Sequence, residues 1–315
     1  MAGPPDPQVL AALLALRDGT DPAPPPPVGD VATRRGNAGH MFRRVLASMD
    51  PVTGVETQSF SLIRGDAAIG LHWYRRADGV QSGSAALYLH GGGMIFDWGH
   101  LGPLYDAAVR GYVAASGVPM LVADYRVAPE DVHPTPLEDC YAALCWLGEH
   151  ADELGVDASR LAVMGDSAGG GLAAGVGLLA RDRGGPVIAA QLLIYPMLDE
   201  RTREAPADPP PLLTWSYDDN ATGWGALLGD RVADGHAAPA RAADVAGLPR
   251  TYLDVGGLDI FAPEDVTFAH RLIDAGVPVE LHVYPGCPHA FDLLAPDTEV
   301  SRRAIAERVR FLRSL

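Results

Sequence analysis

The chain has 315 residues, 48% of them hydrophobic and 20% charged, enough apolar content for one large core or a core with a small accessory layer. Its formal net charge of −16 offers no basic face to phosphates, which disfavours nucleic acid and an anionic membrane surface as partners. All 24 basic residues are arginine, so a phosphate loop ending in Gly-Lys, a Schiff-base lysine and a Ser-x-x-Lys nucleophile are excluded.

The first predicted element is a helix over 6–16, with Asp6 placed to cap it and Pro7 in its first turn. Residues 21–27 are proline-rich and read as a connector. A second helix is predicted over 37–49. The pattern then changes to strands. Two short runs, 60–63 and 71–74, are separated by turn signals such as Gly65-Asp66; they look antiparallel and belong at a sheet edge. Continuous apolar runs follow at 85–89, 119–123, 161–164, 191–194, 252–255 and 279–284, the pattern of strands buried on both faces. Between them, three- and four-residue apolar spacing predicts helices over 105–115, 137–154, 168–180, 264–275 and 302–315. This alternation implies right-handed crossovers and a mostly parallel sheet.

One stretch breaks the alternation. Residues 201–248 hold Pro206, Pro209, Pro210 and Pro211 and a helical-looking run over 215–228, too long for a plain connector. The expected division is 1–50 as N-terminal cap helices, 51–200 with 249–315 as the core, and 201–248 as a cap insertion. Cys140, Cys145 and Cys287 make neither a disulfide framework nor a zinc pair, which fits a reducing cytoplasm. No signal peptide and no apolar run of about 18 residues is found, so no membrane span is expected.

Gly165-Asp166-Ser167-Ala168-Gly169 matches G-x-S-x-G directly between a predicted strand and a predicted helix. Its glycines permit the sharp turn that lifts a nucleophilic serine above a sheet. His90-Gly91-Gly92-Gly93 follows the strand 85–89. Two of the amides of Gly91, Gly92 and Gly93, with that of Ala168, are expected to form an oxyanion hole; the last two glycines are favoured, though the residues leave the choice open. His90 itself is expected to fix this loop. In the chain order Ser, acid, His, the base must follow a late strand, and His289 does so. His282 lies inside that strand, His270 on a helix, and His133 precedes the serine. The orienting acid is expected at Asp259, in Gly256-Gly257-Leu258-Asp259, because Asp254 lies inside its strand.

Together these blocks resemble the hormone-sensitive-lipase-like family of bacterial esterases. The likeness spans nearly the whole chain, including Asp6-Pro7-Gln8-Val9, Asp124-Tyr125-Arg126-Val127-Ala128-Pro129-Glu130, the run from Gly165 to Gly170, and Tyr195-Pro196. It implies an α/β-hydrolase fold, a helical cap from the N-terminus and an insertion, hydrolysis of short- to medium-chain carboxylic esters, no metal or cofactor, and a homodimer. It also implies Ser167, Asp259 and His289 as the triad. Three departures bear on pocket shape: Met94 stands where an aromatic is usual, Asp259-Ile260-Phe261-Ala262-Pro263-Glu264 replaces the usual run after the acid, and Cys287-Pro288 precedes the histidine. A lactonase, amidase or dehydratase on the same scaffold, or a small-molecule receptor without catalysis, stand as alternatives. Trp215, Tyr217 and Trp224 are read as pocket walls or equally as cap core.

Overall fold

The computed structural model describes residues 3–17, 24–80 and 83–315. In chain order it contains α1 (Pro7–Arg17), α2 (Val31–Ser48), β1 (Val55–Arg64), β2 (Ala67–Arg76), β3 (Ala85–Leu89), α3 (Trp98–Ser116), β4 (Met120–Asp124), α4 (Thr135–Glu149), α5 (Ala151–Leu154), β5 (Leu161–Asp166), α6 (Ala168–Arg183), β6 (Ala190–Ile194), α7 (Tyr217–Leu228), β7 (Arg250–Gly256), α8 (Ala262–Asp274), β8 (Val279–Tyr284), α9 (Phe291–Leu294) and α10 (Glu299–Leu312). The strands form one eight-stranded sheet in the order β1-β2-β4-β3-β5-β6-β7-β8. From β4 to β8 every pairing is parallel, and β2 is antiparallel to both β1 and β4. This is the α/β-hydrolase arrangement.

The apolar runs of β3 to β7 are buried on both faces because helices cover both sides. The run 279–284, expected to be buried likewise, forms the edge strand β8, which is only half-buried with Val283 exposed, because no further strand pairs with it among the described residues. Along β3, Leu87 and Leu89 face a core layer shared with Leu144 of α4, Val176 of α6 and Phe268 of α8. Their neighbours Ala86 and Tyr88 face the opposite layer, with Val109 and Val113 of α3 and Leu312 of α10. This alternation is the two-residue period of a strand between two helical layers.

Some boundaries differ from the sequence expectation, each for a local reason. The helix expected over 37–49 begins at Val31, because the Asp30 side chain accepts the Thr33 amide and caps it there. The helix expected over 137–154 breaks at His150, whose ring stacks on Trp146 and whose Nδ1–H donates to the Trp146 carbonyl. The helix expected from 105 starts at Trp98, capped by Asp97, and carries Pro103 inside. β1 and β2 are ten residues each, much longer than their apolar centres, because the exposed edge strand β1 has polar residues along most of its length. The proline-rich connector at 21–27 lies partly outside the described residues, which resume at 24.

Two segments converge over the ends of the strands. Arg34 of α2 is buried; its Nε donates to Asp219 Oδ1 of α7 at 2.8 Å, and its other nitrogens donate to the carbonyls of Pro26, Pro27 and Asp30. The segment 201–248 is joined to the core through Glu264 at the start of α8. That carboxyl meets the amides of Leu198 and Asp199 and the Thr202 hydroxyl, and burial pushes it up to about 8. No helix among the described residues is long and apolar enough to cross a membrane.

Candidate active site

Ser167, Asp259 and His289 follow the C-terminal ends of β5, β7 and β8, which the parallel sheet points the same way, with β6 between β5 and β7. Ser167 sits at φ 55 and ψ −122, a strained conformation for a residue with a side chain. Its surroundings fix it there: its amide donates to the Ile194 carbonyl at 2.9 Å, and its carbonyl accepts from Met197 and Gly171. A Cβ on Gly169 would lie 2.0 Å from the Leu89 carbonyl oxygen, so glycine is what lets α6 start this close to β3.

His289 Nε2 lies 2.9 Å from Ser167 Oγ, and its Nδ1–H donates to Asp259 Oδ2 at 2.6 Å. The second Asp259 oxygen accepts the Phe261 amide at 3.0 Å. All three side chains are buried. The imidazole is packed edge-on against Tyr195 and Phe261, with ring centroids 4.8 and 5.1 Å away. Such an imidazole, its tautomer set by a buried carboxylate, can take a proton from the facing hydroxyl. The three other histidines weighed from the sequence take no part: His133 pairs with Asp234, His270 with Asp274 and His282 with Glu280.

The glycine loop is held by a buried network. Tyr88 and Tyr105 donate their hydroxyls to the two oxygens of Asp166, at 2.9 and 2.6 Å. The Gly91 amide is directed at the Tyr105 oxygen, 2.8 Å away, and at Asp166 Oδ1, 3.2 Å away. Gly91 is therefore unavailable to an oxyanion, a correction to its place among the candidates. The amides of Gly92, Gly93 and Ala168 have no acceptor among the described residues. Ala168 also opens α6, whose N-terminus favours negative charge. His90 is fully buried, stacks on Tyr125 at 4.4 Å, and donates from Nδ1 to the Gly91 carbonyl. Burial lowers its pKa to about 4, so it stays neutral near pH 7. Burial pushes Asp166 up to about 6. Asp166 and Tyr105 were not legible as loop supports. Only the oddity of a charged residue inside the nucleophile turn hinted at the first, and nothing at the second.

A cavity of about 220 Å³ opens onto Ser167 and His289. Its apolar arm is lined by Phe42 of α2, by Phe96, Leu101 and Leu104, and by Leu293 and Leu294. Trp215 lines it as well. Trp224 instead is fully buried in the hydrophobic core and Tyr217 packs against that core. Glu280, His282 and Glu307 are the group among the described residues that could hold a metal ion, with ligand atoms within 4.8 Å of one another. They lie on the edge strand β8 and on α10, and Arg310 pairs with both carboxylates, which makes them an ion-pair network.

Residues 86–293 match a family model described as alpha/beta hydrolase fold. Esterase LipI of Mycobacterium tuberculosis is 34% identical over 224 residues, covering 69% of this chain and 68% of that protein. Carboxylesterase NlhH of the same organism is 36% identical over 242 residues, covering 72% and 73%. Among solved structures, a bacterial heroin esterase superposes with a TM-score of 0.87 at 34% identity, over 98% of this chain and 97% of that one. With these likenesses running through the strands that carry Ser167, Asp259 and His289, the chain belongs to the α/β-hydrolase fold family, in its hormone-sensitive-lipase-like branch.

Proposed function

We propose that the protein is a serine carboxylesterase that hydrolyses short- to medium-chain esters through an acyl-enzyme on Ser167. The observation that carries this is the 2.9 Å approach of His289 Nε2 to Ser167 Oγ at the floor of a largely apolar cavity. His289 takes the hydroxyl proton as Oγ attacks the ester carbonyl carbon. Asp259 holds the Nδ1–H tautomer and stabilises the imidazolium. The carbonyl π electrons move onto oxygen, which the amides of Gly92, Gly93 and Ala168 receive; one such donor contributes about 3 kcal/mol to a barrier of this kind. The tetrahedral intermediate collapses, and His289 returns its proton to the departing alkoxide. Water then attacks the acyl-enzyme with His289 again as base, releasing the acid and restoring Ser167.

The relatives named esterase and carboxylesterase support the same reaction class. A cavity of about 220 Å³ exceeds the roughly 150 Å³ that encloses benzene, which suits a short acyl chain or a single ring. Three unpaired cysteines fit a reducing, cytoplasmic setting, and a homodimer belongs to the same proposal.

The test is a series of p-nitrophenyl esters with a matched anilide. Butyrate is expected to be turned over well. The laurate should fall by about 10-fold or more in kcat/KM, since even one methylene that a pocket cannot hold costs about 1–3 kcal/mol. Butyranilide should be far slower than the ester. Equal turnover of laurate and butyrate would contradict the chain-length assignment, and preference for the anilide would replace the esterase with an amidase.

A further inference from the structure

The inserted segment touches both halves of the proposed chemistry. Thr214 donates its hydroxyl to the His289 carbonyl at 2.5 Å, a bond across 75 residues of chain. The next residue, Ala290, has φ 54, in the left-handed region that a residue with a side chain adopts only when its neighbours hold it there. The peptide that follows His289 is thus held from outside its own loop. One residue further along the insertion, the Trp215 ring lies on Gly93. A Cβ added to Gly93 would sit 2.2 Å from Trp215 Cη2. From α7, a Cβ added to Gly223 would sit 2.4 Å from the Gly93 carbonyl oxygen. Gly93 is therefore clasped between the indole edge and a helix backbone, and its own amide has no acceptor among the described residues.

The clasp is itself rigid. Ser216 and Asp219 form a reciprocal cap at the start of α7, with the Ser216 amide and hydroxyl reaching Asp219 Oδ2 at 3.0 and 2.7 Å. The other Asp219 oxygen takes the buried Arg34 of α2. Asn220 ties the start of the insertion to the same helix by donating to the Thr202 carbonyl at 2.6 Å.

We propose that Thr214, Trp215 and Gly223 make the insertion a brace that positions the base loop and the oxyanion loop, in addition to walling the cavity. The proposal rests on the esterase reading above. Thr214 and Gly223 are positioning residues: they act through His289 and Gly93. A brace sets the geometry of the transition state, so its loss falls on kcat, whereas loss of a cavity wall falls mainly on KM.

Thr214→Val keeps the branched shape and removes the donor, while Thr214→Ser keeps the donor. With p-nitrophenyl butyrate, Thr214→Val should lower kcat by about 10- to 100-fold with KM within about two-fold, because small misplacements of reacting groups cost factors of this order. Thr214→Ser should recover most of that loss. Gly223→Ala, which drives a methyl against the Gly93 carbonyl, should lower kcat in the same way. Melting temperatures of all three variants accompany the kinetics, and if Gly223→Ala does not fold, the Thr214 pair decides. Unchanged kcat in Thr214→Val, a change confined to KM, or a Thr214→Ser variant as impaired as Thr214→Val would overturn the brace. Wild-type ester turnover measures the esterase reading separately from the ratio between the two Thr214 variants.

Discussion

Ser167→Ala is expected to lower kcat for p-nitrophenyl butyrate by about 10⁴- to 10⁶-fold, the range seen when a nucleophile is removed from a three-residue machine of this kind. Among the described residues its side chain makes one hydrogen bond, to His289 Nε2, so little else depends on it. The turn is held by backbone bonds from Ser167 to Ile194, Met197 and Gly171, which alanine keeps. The melting temperature should therefore move by no more than about 2 °C. Substrate binding should change little, because the cavity walls are untouched. A residual rate above that of water is expected, because the amides of Gly92, Gly93 and Ala168, proposed as the oxyanion donors, are untouched by the substitution. Turnover close to the wild type would mean that another group attacks the ester.

The second large effect is on stability. Arg308→Leu is expected to destabilise the fold by about 3–5 kcal/mol. Arg308 is fully buried between layers of the molecule. It grips Asp254 of β7 with two bonds of 2.6 and 3.0 Å, pairs with Asp292 of α9, and donates to the Tyr112 hydroxyl at 3.0 Å. Removing the guanidinium leaves two buried carboxylates without their counter-ion. Asp292 lies on the one-turn helix just after His289, so the same loss loosens the support of the base loop. For a chain of this size the melting temperature should drop by about 5–10 °C.

The pH dependence follows from the sign of the Asp254 shift. Burial raises the Asp254 pKa, with Arg308 opposing it, so removing Arg308 raises it further. A carboxyl whose folded pKa is raised binds more protons in the folded state, and its destabilising effect grows as pH rises through that pKa. The deficit of Arg308→Leu relative to wild type should therefore be smaller at pH 5 than at pH 8 in urea denaturation. Replacing Asp254 and Asp292 by leucine in the same variant should recover much of the loss, because no buried charge is then left alone. A deficit under about 1 kcal/mol, or one that widens toward pH 5, would contradict this account.

The central strands and their helices were legible because burial on both faces leaves mostly apolar runs, as in Ala85–Leu89 and the first four residues of β5, Leu161 to Met164. The full length of β1 and β2 was not, because an edge strand's exposed face carries the polar residues that read as turns. The residues that meet at the cavity floor were legible through chain order: a serine in a glycine turn, then an acid, then a histidine, each after a strand. Their supports were not. The grip of Tyr105 and Asp166 on Gly91, and that of Thr214 on His289, join residues 14, 75 and 75 positions apart through no shared motif. Only the packed chain puts such partners together. For the same reason the sequence favoured Gly92 and Gly93 over Gly91 without deciding the choice. The decision comes only when the Tyr105 hydroxyl is placed beside the Gly91 amide.

The most direct test of the central claim is to quench the enzyme in acid during turnover of p-nitrophenyl butyrate and map the acylated peptide by mass spectrometry. A butyryl group is expected on Ser167 in the wild type, and none there in Ser167→Ala. A butyryl group on any other side chain, or steady hydrolysis with Ser167 unmodified under conditions where deacylation is the slow step, would contradict it.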